Sequence, residues 1–414
     1  MNIGISSALR PLHLALAAFG MLLLAGCAPN LPPPQAPSQP QPAQPEAAPT
    51  PPQSNLLLPA VPQQAKVALL LPLSGQYAGV GRTLLQAAEM GVFDSAGDDF
   101  SLVVRDSAAP GGPGAAVSSA LQEGAQMILG PVFSTEIASA AQAAAGVVPV
   151  ISFSNNVSAA RPGVFVLGVT PQAQVERVVE YAASQQVKRF AILYPNSAFG
   201  TVVRQAYQDS VVAAGGDVAM MQAYDPGAGD FITTMQSLSS SYKTGGFDAL
   251  MIPEGGQTLR AVAGMLSGFD IPVAGPGGGP TPAGTVRLLG TSLWNDPSLA
   301  REPSLAGGWF ASTPPDRWAS FARRYQDIYG VAPDPRAGVV YDAVTLAVAL
   351  SKAKKGGDFS LTRLTDPSGF SGVTGLFRLN ADGTTTRGLS VLEFGPGGIA
   401  VQDPAPTTFQ TVIN

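Results

Sequence analysis

The sequence holds one cysteine, Cys27, and one histidine, His13, and both fall in its first 27 residues. Past that point the chain has neither thiol nor imidazole. A cysteine nucleophile, a Ser-His-Asp triad and a His- or Cys-ligated zinc site are therefore excluded, as is an intrachain disulfide. Charge is scarce too: 12% of residues are charged, with 23 basic side chains against 28 acidic ones. Without a basic run, the backbone of a nucleic acid meets no electrostatic footprint. No G-x-x-x-x-G-K-S/T loop occurs. Neither a cofactor nor a metal is expected, and the chain reads as a non-enzyme. An all-carboxylate hydrolase needs only a pair of acids, and nothing beyond the presence of acids supports one.

Arg10 precedes a short apolar run over 12–24, the layout of a secretory signal and too short for a comfortable bilayer span. Leu24-Ala25-Gly26-Cys27 closes that run. It resembles the site cut by lipoprotein signal peptidase, which implies a signal over 1–26 and lipidation at Cys27. The competing reading is an ordinary signal with an accidental cysteine. Residues 28–65 contain thirteen prolines and a single charge, Glu46, a composition that builds no core and favours polyproline II. We read 27–65 as a tether.

The folded domain is expected from Lys66. Residues 67–71 form an unbroken apolar run of strand length, which suits a parallel strand buried on both faces. Pro72, Ser74, Gly75 and Gly79 break the pattern, and Leu84, Leu85, Ala88 and Val92 then recur at helical spacing. Strands are predicted in the same plan at 101–104, 126–129, 147–152, 165–169, 190–194, 218–224, 249–252, 271–274 and 286–291, with helices between most of them. Such alternation predicts an α/β fold with mostly parallel sheets flanked by helices. Helices are expected again over 317–329 and 338–352. Residues 375–379 and 389–394, on either side of Asp382-Gly383, read as a hairpin.

The apolar strand, Pro72-Leu73-Ser74-Gly75 and the glycine-bearing start of a helix resemble the opening of the type I periplasmic solute-binding proteins, the Leu/Ile/Val-receptor superfamily. The resemblance covers 66 to about 400. It implies two lobes joined by a hinge, lobe 1 about 66–169 and 311–358, lobe 2 about 170–310 and 359–400, with 401–414 as a tail. It also implies a small-molecule ligand in the cleft between the lobes. An amino-acid ligand needs hydroxyls and N–H groups for its carboxylate, an acid for its ammonium and aromatics for its side chain. Ser74, Ser134, Thr135, Ser152, Ser154 and Thr170 are candidates for the first role, Asp225 and Glu254 for the second, and Tyr77, Phe153, Tyr194, Phe199 and Trp294 for the third. The family's carboxylate-binding hydroxyls map onto Ser152, Ser154 and Thr170, and its ammonium-binding acid onto Glu254. For any one of these residues, helix capping or packing is the competing explanation. Phe153 stands where small residues are common in the family.

Within the superfamily, residues 289–297 (LGTSLWNDP), Gly307-Gly308-Trp309-Phe310 and Tyr341-Asp342-Ala343-Val344 resemble the penicillin-binding-protein activators, outer-membrane lipoproteins that stimulate a peptidoglycan synthase. Better-known members carry an extra helical-repeat domain where this chain has its tether. Ala28 after the lipidated cysteine fits outer-membrane placement, facing the periplasm. The alternative is the substrate-binding lipoprotein of an ABC importer for amino acids or similar solutes. Two β-lactam-type patterns, Ser240-Ser241-Tyr242-Lys243 and Lys243-Thr244-Gly245, share one lysine. That chemistry draws the two motifs from separate elements, so both are chance matches.

Overall fold

A computed structural model describes residues 64–227 and 231–409. The signal, Cys27 and almost all of the tether lie outside them. The first lobe runs β1 (Ala65–Leu71), α1 (Ala78–Ser95), β2 (Phe100–Asp106), α2 (Gly112–Gln122), β3 (Met127–Leu129), α3 (Ser134–Ala144), β4 (Val150–Ser152) and β5 (Val164–Val166). All pairings in this sheet are parallel, in the order β2-β1-β3-β4-β5. The unbroken apolar run of β1 has a direct cause. Val67, Leu69 and Leu71 pack in one core with Leu84 of α1, while Ala68 and Leu70 pack in another with Val117 of α2 and Ile137 of α3. A strand covered on both faces has no polar side to show.

The second lobe runs α4 (Pro171–Ser184), β6 (Arg189–Pro195), α5 (Ala198–Ala213), β7 (Asp217–Tyr224), α6 (Ile232–Thr244), β8 (Ala249–Met251), α7 (Gly256–Leu266), β9 (Arg287–Gly290) and β10 (Trp309–Ser312). The chain then returns to the first lobe with α8 (Pro315–Tyr329) and α9 (Ala337–Ser351), whose buried faces join the core of β1. The α9 helix is apolar almost all round because it is covered almost all round. It lies so close to α1 that a Cβ on Gly91 would sit 3.2 Å from Val344. The remaining strands are β11 (Phe370–Gly372), β12 (Gly375–Leu379), β13 (Thr385–Arg387), β14 (Ser390–Gly395) and β15 (Gly398–Asp403). The second sheet has the order β15-β14-β10-β9-β8-β6-β7, parallel from β10 to β7 and antiparallel where β14 and β15 extend it.

Four expectations need correcting. The 375–379 strand does turn at Asp382-Gly383, but its partner is β13, not 389–394; β14 instead crosses to the second sheet and pairs with β10. Residues 359–400 are not all on lobe 2. Leu364, Phe377 and Leu379 bury in the first-lobe core, and Gly383 and Thr385 hydrogen-bond the backbone of Val166 at the end of β5. Residues 401–403 belong to β15 rather than to a tail. The segment 271–274 makes only an isolated bridge from Val273 to Val286, since Pro272 has no N–H to give a longer ladder.

Three connections join the lobes, at 167–170, 312–314 and 388–389, and a buried polar cluster ties two of them together. Arg387 donates to the carbonyl of Leu167 at the first connection, and its Nη1 donates to Thr374 Oγ1 at 2.8 Å. The Thr374 hydroxyl donates in turn to Asp342 of α9, which also accepts from the backbone N–H groups of Val373 at 2.6 Å and Thr374 at 2.9 Å. Burial pulls Arg387 down to about 10 and pushes Asp342 above the usual carboxylate range.

Candidate functional site

The lobes enclose a cleft of about 610 Å³. Its first-lobe wall comes from the loops that follow β3 and β4, the ends of adjacent parallel strands where open α/β sheets place ligands. From these loops Phe133, Ser134, Phe153, Ser154 and Asn155 line it. The helical segment of lobe 1 adds Trp318, Arg336 and Val339, and the second lobe faces them with Ser292, Asn295, Ser312 and Thr313.

The local chemistry explains each position. Ser152 is fully buried; its hydroxyl donates to the Pro131 carbonyl at 2.9 Å and accepts from the Ser154 N–H at 3.1 Å. It shapes the β4 loop from behind and does not line the cleft. Ser154 Oγ accepts from the Asn156 N–H at 3.1 Å, which leaves its own O–H to donate. Gly168, on the first connection, donates its N–H to the Ser154 carbonyl at 3.0 Å. A Cβ there would lie 2.3 Å from that oxygen, so only glycine fits so close an approach. Across the cleft, Gln174 of α4 accepts from the Ser292 N–H at 2.7 Å, and Asn295 Nδ2 donates to Ser312 Oγ at 3.2 Å.

Among the described residues Arg336 is the one charged side chain that lines the cleft. Asp334 grips it as a fork, Nε to Oδ1 at 2.8 Å and Nη2 to Oδ2 at 2.7 Å. Burial works against the Asp334 charge, yet the Arg336 side chain and backbone N–H hold its carboxyl below the usual range.

Of the residues singled out from sequence, Ser134, Phe153 and Ser154 line this cleft. Tyr77 reaches its edge, with its ring 4.6 Å from that of Phe133. The others stand elsewhere. Ser74 helps Asp106 stay ionised on the first-lobe surface, although burial opposes that charge, and Thr135 is exposed on the first turn of α3. Thr170 caps α4, accepting from the Ala173 N–H at 3.3 Å, and lines a separate groove with β13. Tyr194 is half-buried on a second-lobe core and Phe199 stands on the first turn of α5. Asp225 is exposed and turns the chain by accepting from the Gly227 N–H at 2.8 Å. Glu254 accepts from the Tyr224 hydroxyl, which burial and the carboxylate together push well above its ordinary pKa. Trp294 is core: it stacks on Phe394 at 5.7 Å and donates its indole N–H to the Ile252 carbonyl.

Sequence reasoning missed Phe133, Asn155, Ser292, Asn295, Ser312, Thr313, Trp318 and Arg336. Ser312 and Thr313 come from a connection between the lobes, about which periodicity is silent, and Ser292 and Asn295 from the single helical turn after β9. Asp334-Pro335-Arg336, opposite charges across a proline just before an apolar helix, is the one local signal that points to Arg336.

The chain matches the family model described as periplasmic binding protein over residues 64–398. It belongs to that family. An uncharacterized protein of Rickettsia prowazekii (strain Madrid E) is 24% identical over 164 residues, which are 39% of this chain and 44% of that relative. Solved structures share the fold. A Rhodospirillum rubrum protein described as a candidate branched-chain amino acid ABC transporter superposes with a TM-score of 0.68 at 18% identity, covering 82% of this chain and 99% of its own. The substrate-binding protein of an ABC transporter from Desulfitobacterium hafniense, in complex with Leu, scores 0.58 at 19% identity over 82% and 99%. An ABC-transporter solute-binding protein from R. palustris, in complex with benzoate, scores 0.53 at 20% over 83% and 97%. These likenesses establish the two-lobed fold of parallel sheet and helix, and membership of the family implies a periplasmic or envelope location. Among the described residues no helix is long and apolar enough to cross a membrane.

Proposed function

We propose that the chain is a non-catalytic lipoprotein of the penicillin-binding-protein activator kind, anchored through Cys27 and regulating a peptidoglycan synthase. One observation carries the choice over an amino-acid importer. Among the described residues no Asp or Glu lines the cleft and the only lining charge is a cation, while Glu254, onto which the resemblance maps the family's ammonium-binding acid, is engaged by Tyr224. A zwitterionic amino acid would bury its ammonium there without an acid, which is costly. Residues 289–297 and 307–310, which resemble the activators, build the second-lobe core around Trp294 and Trp309, and the first of them also brings Ser292 and Asn295 to the cleft. The tether and the outer-membrane anchor complete the reading, since a receptor on the outer membrane stands far from an inner-membrane permease. The importer reading draws support from the hydroxyls of Ser134 and Ser154, which suit a ligand's carboxylate, and from relatives solved with leucine and benzoate.

The test is reconstitution with the bifunctional peptidoglycan synthase of the source organism, following glycan polymerisation and cross-linking with and without the purified chain. Stimulation of several-fold is expected. No stimulation, together with saturable amino-acid binding, overturns the activator reading in favour of the importer.

A further inference from the structure

We propose that the cleft takes a small monocarboxylate with an apolar body and no ammonium group, and that Arg336 selects it; this rests on the reading of the cleft as a ligand site. A guanidinium carries five N–H donors in a planar fork. Asp334 takes one on Nε and one on Nη2, so three remain, two of them on Nη1. The carboxylate also accepts from the Arg336 backbone N–H at 2.8 Å. Pro335 between the two residues has a locked φ. Together these constraints hold the fork at the start of α9, and its side chain is 40% exposed. The free donors are therefore presented to a ligand at little further entropic cost.

The rest of the lining fits the same chemistry. Ser154 keeps a free O–H, and Phe133, Phe153, Trp318 and Val339 supply an apolar wall. Donors thus face apolar surface, and among the described residues no lining carboxylate awaits an ammonium. The Asp334–Arg336 pair is neutral overall, so the site meets a monoanion through the free N–H donors rather than through net charge. A dianion would double the charge left without a counter-ion.

Matched compounds test this by titration calorimetry on the purified chain: 4-methylpentanoate against leucine and 4-methylpentanamide, and 3-phenylpropanoate against phenylalanine and 3-phenylpropanamide. At least one carboxylate is expected to bind tenfold or more tightly than both its amino-acid and its amide counterpart. Arg336→Met should remove that tenfold margin, and Arg336→Lys, which keeps the charge but not the fork, should lose part of it. Equal binding of an amino acid and its deaminated partner overturns the proposal, as does an intact margin in Arg336→Met. If Arg336→Met does not fold, the wild-type series decides alone. If no compound binds at millimolar concentration while the synthase is still stimulated, the ligand class falls and the activator reading stands. Binding of the carboxylates without stimulation does the reverse.

Discussion

Arg336 and Arg387 both neighbour an aspartate in this domain, and they do opposite work. Arg336 and Asp334 are two residues apart on one loop, half in water, and their geometry needs nothing from the rest of the fold. Arg387 and Asp342 are far apart in sequence, fully enclosed, and joined through Thr374 at the connections between the lobes. The first arrangement leaves donors for a ligand. The second uses its donors on the protein's own backbone, at Leu167. An exposed pair contributes little to stability, whereas stripping one partner from a buried set leaves an uncompensated charge.

Variants can break this contrast. Arg387→Met should cost about 3–5 kcal/mol by leaving Thr374 Oγ1 and the Leu167 carbonyl without their donor and Asp342 without its neighbouring cation, read as a fall in the urea midpoint. Trp294→Ala should cost a similar 3–5 kcal/mol as a core cavity while carboxylate binding survives in whatever fraction stays folded. A loss of binding out of proportion to unfolding would restore Trp294 to the site. Gly168→Ala drives a Cβ into the Ser154 carbonyl. It should cost about 1–3 kcal/mol and weaken cleft binding as well, because it moves the loop that carries Ser154. Arg336→Met should change stability by less than about 1 kcal/mol.

The smallest effect is one of sign. Asp334 titrates below the usual range, so its contribution is present above the unfolded value, about 3.9, and is lost as pH falls through the folded one. Asp342 titrates above the usual range, so its contribution is full below the unfolded value and is lost as pH rises through the folded one. Carboxyl NMR should show the two on opposite sides of the unfolded value, and Arg336→Met should bring only Asp334 back towards it. Movement of both together would mean that the two arrangements are coupled.

The fold was legible because its strands carry their own marks. The run of β1, the glycine-bearing loops and the uniformly apolar α9 each follow from burial on two sides, which composition and period report directly. The cleft was legible only in part. Ser134, Phe153 and Ser154 sit on strand-to-helix loops, where a parallel sheet always opens. Trp294 and Tyr194 carry the same aromatic signature and are packed away, because an aromatic side chain suits a core as well as a ligand. Glu254 occupies a strand end in the expected register, and nothing in sequence could tell that Tyr224 would engage it.

What the chain's residues determine by themselves is local and chemical. One thiol and one imidazole, both near the start, leave the folded domain without either group. Alternating apolar periods specify mostly parallel sheets flanked by helices, and Asp334-Pro335-Arg336 makes its own ion pair across a rigid proline. Only the tertiary structure decides which strand β13 pairs with, that β14 leaves for the other sheet, and that Arg387 meets Leu167. The last of these contacts joins residues 220 positions apart, and the free energy of such contacts comes from burying groups that no short stretch of sequence can bury alone.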